Sequence, residues 1–291
     1  MTIAPRHLAL LALLTLIWGI NWPIMKIGVS EFAPLSFRAL SMWLGLPVLL
    51  LAMRLLKAPL AVPRAQWREL FALAFSNMIV WHVVVILAVQ ALSSGRAAIL
   101  AYSMPMFSAL WGRALYRERL ARRQLAGVVT ACLGVALLLW HEFAHLAGAP
   151  WAALGMLVAA AVWGLGTQQV RRTRVTVPTV AIAFWMTAVT TLLMSLLAWG
   201  FERERWHAPN AAAWGAVLFN AVGVFGFAQS AWLVIARALP PVASTLSVML
   251  IPVLGVVSGA LWLGETLYWQ DGAAMILMVL SIASVLLPTR P

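Results

Sequence analysis

Runs of about twenty apolar residues recur along the whole chain, and no other feature restricts its fold so sharply. LALLALLTLIWG (8–19) and LSMWLGLPVLLLAM (40–53) are the first two. Hydrocarbon offers the backbone no hydrogen-bond partner, so a segment crossing it must be a helix or belong to a closed barrel. Barrel strands are about ten residues long and alternate apolar with polar, and no such alternation occurs here. Hydrophobic residues make up 64% of the chain and charged residues 10%; soluble domains run near 45–50% and about 25%. The expected fold class is an all-α integral membrane protein.

Ten spans are expected, at about 8–27, 34–56, 69–91, 94–116, 124–140, 151–170, 178–200, 213–237, 240–263 and 271–288. The connections are short, which leaves no room for a soluble domain. Trp67, Trp140, Trp151, Trp199, Trp206, Trp214 and Trp269 fall near span ends and read as an interfacial belt. The net charge of +12 sits in loops rather than in a nucleic-acid-binding stripe. With the N-terminus cytoplasmic, Arg54, Lys57, Arg64 and Arg68, the run Arg113 to Arg123, and Arg171, Arg172 and Arg174 lie inside. Lys26, Arg38, Arg96, Arg203 and Arg205 lie outside. That bias places both termini in the cytoplasm. Residues 8–17 are expected to stay attached, because no small-residue cleavage site follows them. Cys132 stands alone, so no internal disulfide or cysteine-based metal cluster is expected.

The halves echo each other. VWGLGTQQ (162–169) repeats IWGINWPI (17–24), with Trp163 and Gly164 lying 145 residues after Trp18 and Gly19. Further on the offset is 147, matching Pro105 to Pro252, Glu118 to Glu265 and Leu120 to Leu267. Five spans per half is an odd number, so the copies, 1–145 and 146–291, must be inverted in the membrane. Inverted repeats characterise secondary transporters, with the substrate site near the midplane between them.

The stretches WGINWPIMKIG (18–28), APLSFRALSMWLG (33–45), AAILAYSMPMFSALWGRALYRERLARRQLAGVV (97–129) and PPVASTLSVMLIPVLGVVSGALWLGETL (240–267) carry a family resemblance. Together the sequence resembles EamA-type members of the drug/metabolite transporter superfamily, and within it the aromatic amino acid exporters most. The resemblance implies ten helices, an inner-membrane location and export of small metabolites. The second half departs from the pattern: Ile182 stands where the second helix has Arg38, and no Lys follows Trp163–Gly164.

In the first span, Gly19 and Pro23 are expected to weaken the helix, since Pro removes a backbone bond and crowds the preceding turn. Backbone freed at that depth must face protein or a watery cavity, which turns Asn21 inward. Lys26, near the outer end, reads as a snorkelling interfacial anchor. A structural role is favoured for Arg38, with Glu31 the nearest acid in sequence.

A transport site gathers polar and aromatic groups at mid-depth. Asn77, Met78, Trp81 and His82 lie centrally in the third span, Tyr102 in the fourth, Trp163 in the sixth, Asn220 and Gln229 in the eighth. Ser244, Thr245 and Ser247 belong to the ninth. The repeat maps His82 onto Gln229 and Ala97 onto Ser244. The expected substrate-binding set is Asn21, Met78, Trp81, His82, Tyr102, Trp163, Gln229 and Ser244, with Gly19, Pro23, Pro105 and Pro252 as hinge or gate positions. His82 either lines the cavity or makes a structural hydrogen bond; Thr245 and Ser247 suit bonds to their own helix, and Trp43, Trp111, Trp185 and Trp232 suit packing. All eight acidic residues fall in loops or at span ends. Facilitated export therefore fits better than coupling to protons or sodium, and a site without buried charge suits a substrate with an apolar body.

HEFAH (141–145) matches a zinc signature. It is expected in a loop, away from any third ligand, so no metal, cofactor or catalytic residue is expected. RALYRERLARR (113–123) suits anionic lipid headgroups better than nucleic acid. The sequence reading is a monomeric inner-membrane exporter of amino acids with aromatic or other apolar side chains. Exporters of purines or cationic drugs stand second, and a membrane metalloprotease acting through HEFAH is a distant third.

Overall fold

Prolines and short polar caps set the helix boundaries. The computed structural model describes residues 5–118, 122–144, 149–238 and 250–286, and no strand occurs among them. α1 (Pro5–Glu31) and α2 (Pro34–Leu55) are long single helices, the second opened by Pro34 at its first position. α3 (Trp67–Ala74) runs through a π-helical stretch, Phe75–Ile79, into α4 (Val80–Ala91). α5 (Ser94–Ala101) is capped by the Ser93 hydroxyl, which accepts from Arg96 N. Tyr102 and Ser103 interrupt the helix, and α6 (Met104–Tyr116) resumes it with Pro105 in its first turn, ending at Arg117 in the left-handed conformation (φ 55°).

The second half follows with α7 (Arg122–Ala144), α8 (Pro150–Arg172) and α9 (Thr179–Glu202). α10 (Ala211–Phe219), capped by the Asn210 side chain on Ala213 N at 2.9 Å, passes through a π-helical stretch, Asn220–Ala228, into α11 (Gln229–Ala238). α12 (Leu250–Leu263) and α13 (Trp269–Leu286) complete the chain. Six helical stretches are long and apolar enough to cross a membrane by length and composition, with two shorter apolar helices beside them, Leu125–Leu137 and Leu250–Leu263. The outer surface fits that reading: Leu51, Leu192, Leu196, Val158, Leu261 and Ile276 are exposed, as are Trp140, Trp151, Trp199, Trp206, Trp214 and Trp269 near helix ends.

Two sequence expectations need correcting. Gly19 and Pro23 do not interrupt the first helix; α1 continues through both. Gly19 is a close-packing point, since a Cβ there would lie 2.5 Å from Leu254 Cβ on α12. HEFAH is not a loop: His141, Glu142, Phe143 and Ala144 form the last turn of α7, and His145 lies outside the described residues. No group of three His, Cys, Asp or Glu able to hold a metal occurs among the described residues.

The two halves exchange partners. α1 packs on α12, while α8, its counterpart, packs on α6. α2 packs on α9 and on the π-helical stretch of the second half, and α7 packs on α13. Both π-helical stretches interrupt the third helix of their half, Phe75 starting one and Asn220, 145 residues on, the other. A π-helical turn widens the ladder and leaves a carbonyl short of its usual partner. Asn77 Nδ2 donates to Leu73 O and Asn220 Nδ2 to Ala216 O, both at 3.0 Å, so each amide takes up a carbonyl four residues back.

Two carboxylates, buried Glu202 and half-buried Glu265, tie segments of the bundle together. Glu202, 3% exposed, accepts from Leu35 N (2.9 Å), Ser36 N (2.8 Å) and Ser36 Oγ (2.7 Å), closing the N-terminus of α2 with charge of the favourable sign. Glu265 does the same for α5 through Ser94 N (2.7 Å) and Ser94 Oγ (2.8 Å). Charge-assisted hydrogen bonds contribute about 1.5–3 kcal/mol each. Glu202→Ala should therefore cost about 3 kcal/mol, read as a fall in the thermal midpoint of the detergent-solubilised protein, and Glu202→Gln should cost less because it keeps one acceptor.

Candidate functional site

α1 presents Trp18, Asn21, Trp22 and Met25 at spacings of three, one and three residues, which places them on one helical face. That face forms one wall of a central cavity with about 40 Å³ of free space. α4 contributes Trp81, His82 and Val85; the break between α5 and α6 contributes Tyr102 and Met104; α8 contributes Trp163. Arg38 of α2, Val224 of the second π-helical stretch and Gln229 of α11 complete the lining among the described residues. Helices from both halves thus meet around one space.

Four tryptophans, Trp18, Trp22, Trp81 and Trp163, line its apolar side. Trp163 meets Trp81 edge to face with ring centroids 4.1 Å apart, and Trp18 likewise at 5.8 Å; Trp18 leans on Trp232 at 5.7 Å. The repeat counterparts Trp18 and Trp163 are therefore in direct contact. Trp163 is a member of a ring cluster rather than an isolated platform. Its approach to α6 is close because Gly164 lies against backbone: a Cβ there would be 2.7 Å from Ser108 N and 2.9 Å from Met104 O.

The polar side is unusual in what it leaves open. Asn21 Oδ1, Arg38 Nε, His82 Nδ1 and Trp163 Nε1 are all buried without a hydrogen-bond partner among the described residues. Buried polar groups are normally satisfied, so four such atoms around one cavity call for an explanation. Arg38 is 1% exposed. Its guanidinium donates to Asn220 Oδ1 (3.1 Å) and to Met25 Sδ (2.7 Å), and lies 5.6 Å from the Phe225 ring centroid. His82 meets the same ring at 5.2 Å.

Of the residues expected from sequence, Asn21, Trp81, His82, Tyr102, Trp163 and Gln229 line the cavity. Met78 is fully buried but is not part of the lining. Ser244, with Thr245 and Ser247, lies outside the described residues. Gly19 is held against α12, Pro23 lies within α1, Pro105 follows the α5–α6 break, and Pro252 is in the first described turn of α12. Sequence reasoning passed over Trp18, Trp22, Met25 and Val85 as lining, although Trp18 and Met25 lie three and four residues from Asn21, Trp22 four from Trp18, and Val85 four and three from Trp81 and His82. It also gave the cavity no charge, whereas Arg38 lies in its wall. Glu31 is not its partner; it accepts from Asn210 Nδ2.

Lys26 anchors to a neighbouring helix of its own half. Its ammonium donates to the carbonyls of Val89 (2.9 Å), Gln90 (2.9 Å) and Leu92 (2.8 Å), so all three N–H groups close the C-terminus of α4. Trp43 donates to Ser195 Oγ (2.9 Å), Trp111 to Ala161 O and Trp185 to Leu60 O (both 2.8 Å), consistent with packing roles. At the opposite end from Lys26, Glu118 pairs with Arg172, whose guanidinium stacks 3.9 Å from the Tyr116 ring centroid.

Comparison with known proteins gives a consistent outcome. The EamA-like transporter family matches twice, over residues 6–140 and 150–287. The inner membrane transporter YedA of Escherichia coli K12, described as uncharacterized, is 27% identical over 96% of this chain and 91% of its own length. The uncharacterized transporter YoaV of Bacillus subtilis is 24% identical over 86% of each. A protein of Streptantibioticus cattleyicolor described as a probable terminal-alkyne amino-acid exporter is 25% identical over 96% of this chain and 92% of its own. One solved crystal structure superposes on 96% of this chain and 95% of its own with a TM-score of 0.73 at 22% identity, a likeness of fold alone.

Proposed function

The chain belongs to the EamA-like transporter family, and from that premise we propose that it exports small amphipathic metabolites, foremost amino acids with aromatic or other apolar side chains, across the bacterial inner membrane. In this reading ten spans form two inverted five-helix repeats with both termini cytoplasmic, and the central cavity is the substrate site. One observation carries the proposal. A cavity between the halves sets four tryptophans beside buried polar atoms of Asn21, Arg38, His82 and Trp163 that have no partner among the described residues. Such a lining suits a ligand with an apolar body and a polar end, because the rings cover the body and the open atoms bind the end. The relative named as an amino-acid exporter supports the same class, and the relative named as an inner membrane transporter supports the location.

The direct test is counterflow in proteoliposomes with a panel of amino acids, purines and cationic drugs. Saturable exchange of phenylalanine, tryptophan or leucine is expected, and exchange of cationic drugs alone would refute the reading. The topology has its own test: cysteines placed in the loops are labelled from outside intact cells by an impermeant reagent. Labelling is expected near Arg205 and not near Arg122.

Alternating access is proposed to use the helix breaks. α5 stops at Ala101, and Pro105 sets the new axis two residues after the interruption. Pro105→Ala should slow turnover several-fold while changing apparent affinity little, measured as the rate and half-saturation of counterflow.

A further inference from the structure

We propose that Arg38 is the anchor for a substrate carboxylate, so that the cavity selects molecules carrying a carboxylate beside an aromatic or apolar body. The proposal rests on the reading of the central cavity as the substrate site and adds a specificity-determining residue to it. Arg38 is buried in the cavity wall about one helical turn from the start of α2. Among the described residues no acidic side chain pairs with it: its two acceptors there, Asn220 Oδ1 and Met25 Sδ, are neutral, and Nε has none. A guanidinium has five N–H donors in a planar fork, and the two bonds made among the described residues leave three of them unspent on a side chain that lines the cavity.

Of the five acidic residues at that end of the bundle, Glu204 is exposed on the surface and the other four are committed to other groups. Glu31 accepts from Asn210, Glu202 closes α2, Glu265 closes α5, and Asp271 pairs with Arg96 at 3.0 Å. No carboxylate lines the cavity among the described residues. A cation held away from water without a counter-charge is costly, and a ligand carboxylate would remove that cost. The guanidinium fork matches a carboxylate with two parallel hydrogen bonds, which neither a lysine nor a neutral amide reproduces. The rings of Trp18, Trp81 and Trp163 lie in the same cavity and receive the apolar body.

Two bland alternatives are weaker. A purely structural Arg38 would have its donors spent on protein, as those of Lys26 are on three carbonyls. A stacking role on Phe225 uses the face of the guanidinium and leaves its edge open.

The test uses the full chain in nanodiscs, with binding read by quenching of intrinsic tryptophan fluorescence. The probes are L-phenylalanine, L-phenylalaninamide and 3-phenylpropionate, with L-leucine and L-leucinamide as an aliphatic pair. Each amide keeps the body and the ammonium and lacks the carboxylate. Acids are expected to bind at least tenfold more tightly than amides, with 3-phenylpropionate grouping with the acids. Arg38→Gln should erase that preference, and Arg38→Lys should retain part of it. Because the comparison on the unaltered protein needs no variant, it decides even where Arg38→Gln fails to fold. Amides binding as tightly as their acids would overturn the carboxylate anchor and leave the cavity reading standing. A preference for acids that persists in a folded Arg38→Gln protein would likewise assign the anchor elsewhere. Binding by none of the five probes would overturn the amino-acid reading and the anchor together.

Discussion

Gly164→Val should abolish transport and leave little correctly assembled protein. A Cβ at Gly164 would lie 2.7 Å from Ser108 N, 2.9 Å from Met104 O and 3.0 Å from the Phe107 carbonyl carbon. All three are backbone atoms, so no rotamer change relieves the contact. Relief requires α6 to move off α8, and with it the Tyr102–Pro105 break and the Trp163 edge of the cavity. Overpacking usually costs about 1–3 kcal/mol and more where the neighbours cannot yield; the gain in helix propensity from replacing glycine, about 0.5–1 kcal/mol, does not cover it. Gly215 is the internal control. It lies in α10 with nothing within 4 Å of its would-be Cβ, so Gly215→Ala should be neutral or mildly stabilising. The checks are the monodisperse fraction on size exclusion and counterflow rate per folded molecule. Normal transport by Gly164→Val would mean that the α6–α8 contact is not kept during the transport cycle.

The same contact shows what the sequence revealed and what it hid. The pairing of Trp18–Gly19 with Trp163–Gly164 was legible as a repeat, because a tryptophan and a glycine stand out in apolar runs. What each glycine is for was not legible. Gly19 reads as a weak point next to Pro23, yet it is a contact point against Leu254, while Gly164 meets Phe107, the residue 147 positions before Leu254. Close approach between helices is a tertiary property, and composition alone does not distinguish it from flexibility. The π-helical stretches were hidden for a related reason: one added residue per turn changes no hydrophobic pattern. Only Ser76, Asn77 and Asn220, polar residues in apolar runs, hinted that carbonyls there needed partners.

The neighbours of Arg38 were not legible, because distance along the chain does not give distance in space. Glu31 lies seven positions away along the chain but is bound by Asn210, from the far half. The partner Arg38 does have, Asn220, is 182 residues distant. Lys26 taught the opposite lesson, since its carbonyl partners at Val89, Gln90 and Leu92 end a helix of the same half. Helix ends can be read from sequence, and a lysine near one can be anticipated; a buried cation left facing a cavity cannot.

Trp163→Ala should change what the cavity accepts as well as how stably it is built. The side chain is 5% exposed, lines the cavity and touches both Trp18 and Trp81. Truncating a buried tryptophan typically costs about 3–5 kcal/mol, so a lower thermal midpoint is expected whatever the function. Selectivity separates scaffold from site. Aromatic pairs contribute about 0.5–1.5 kcal/mol beyond area burial, and 1.4 kcal/mol corresponds to about tenfold in affinity. With a substrate ring entering the tryptophan cluster, Trp163→Ala should lose about tenfold for phenylalanine relative to leucine, while Trp163→Phe should keep most of the preference. Counterflow of the two amino acids in the same proteoliposomes supplies the ratio and cancels differences in protein yield. A parallel loss for both would make Trp163 a packing residue of the Trp18–Trp81 cluster. The ring-binding face would then have to be sought on Trp22 or Tyr102, the other aromatic side chains lining the cavity.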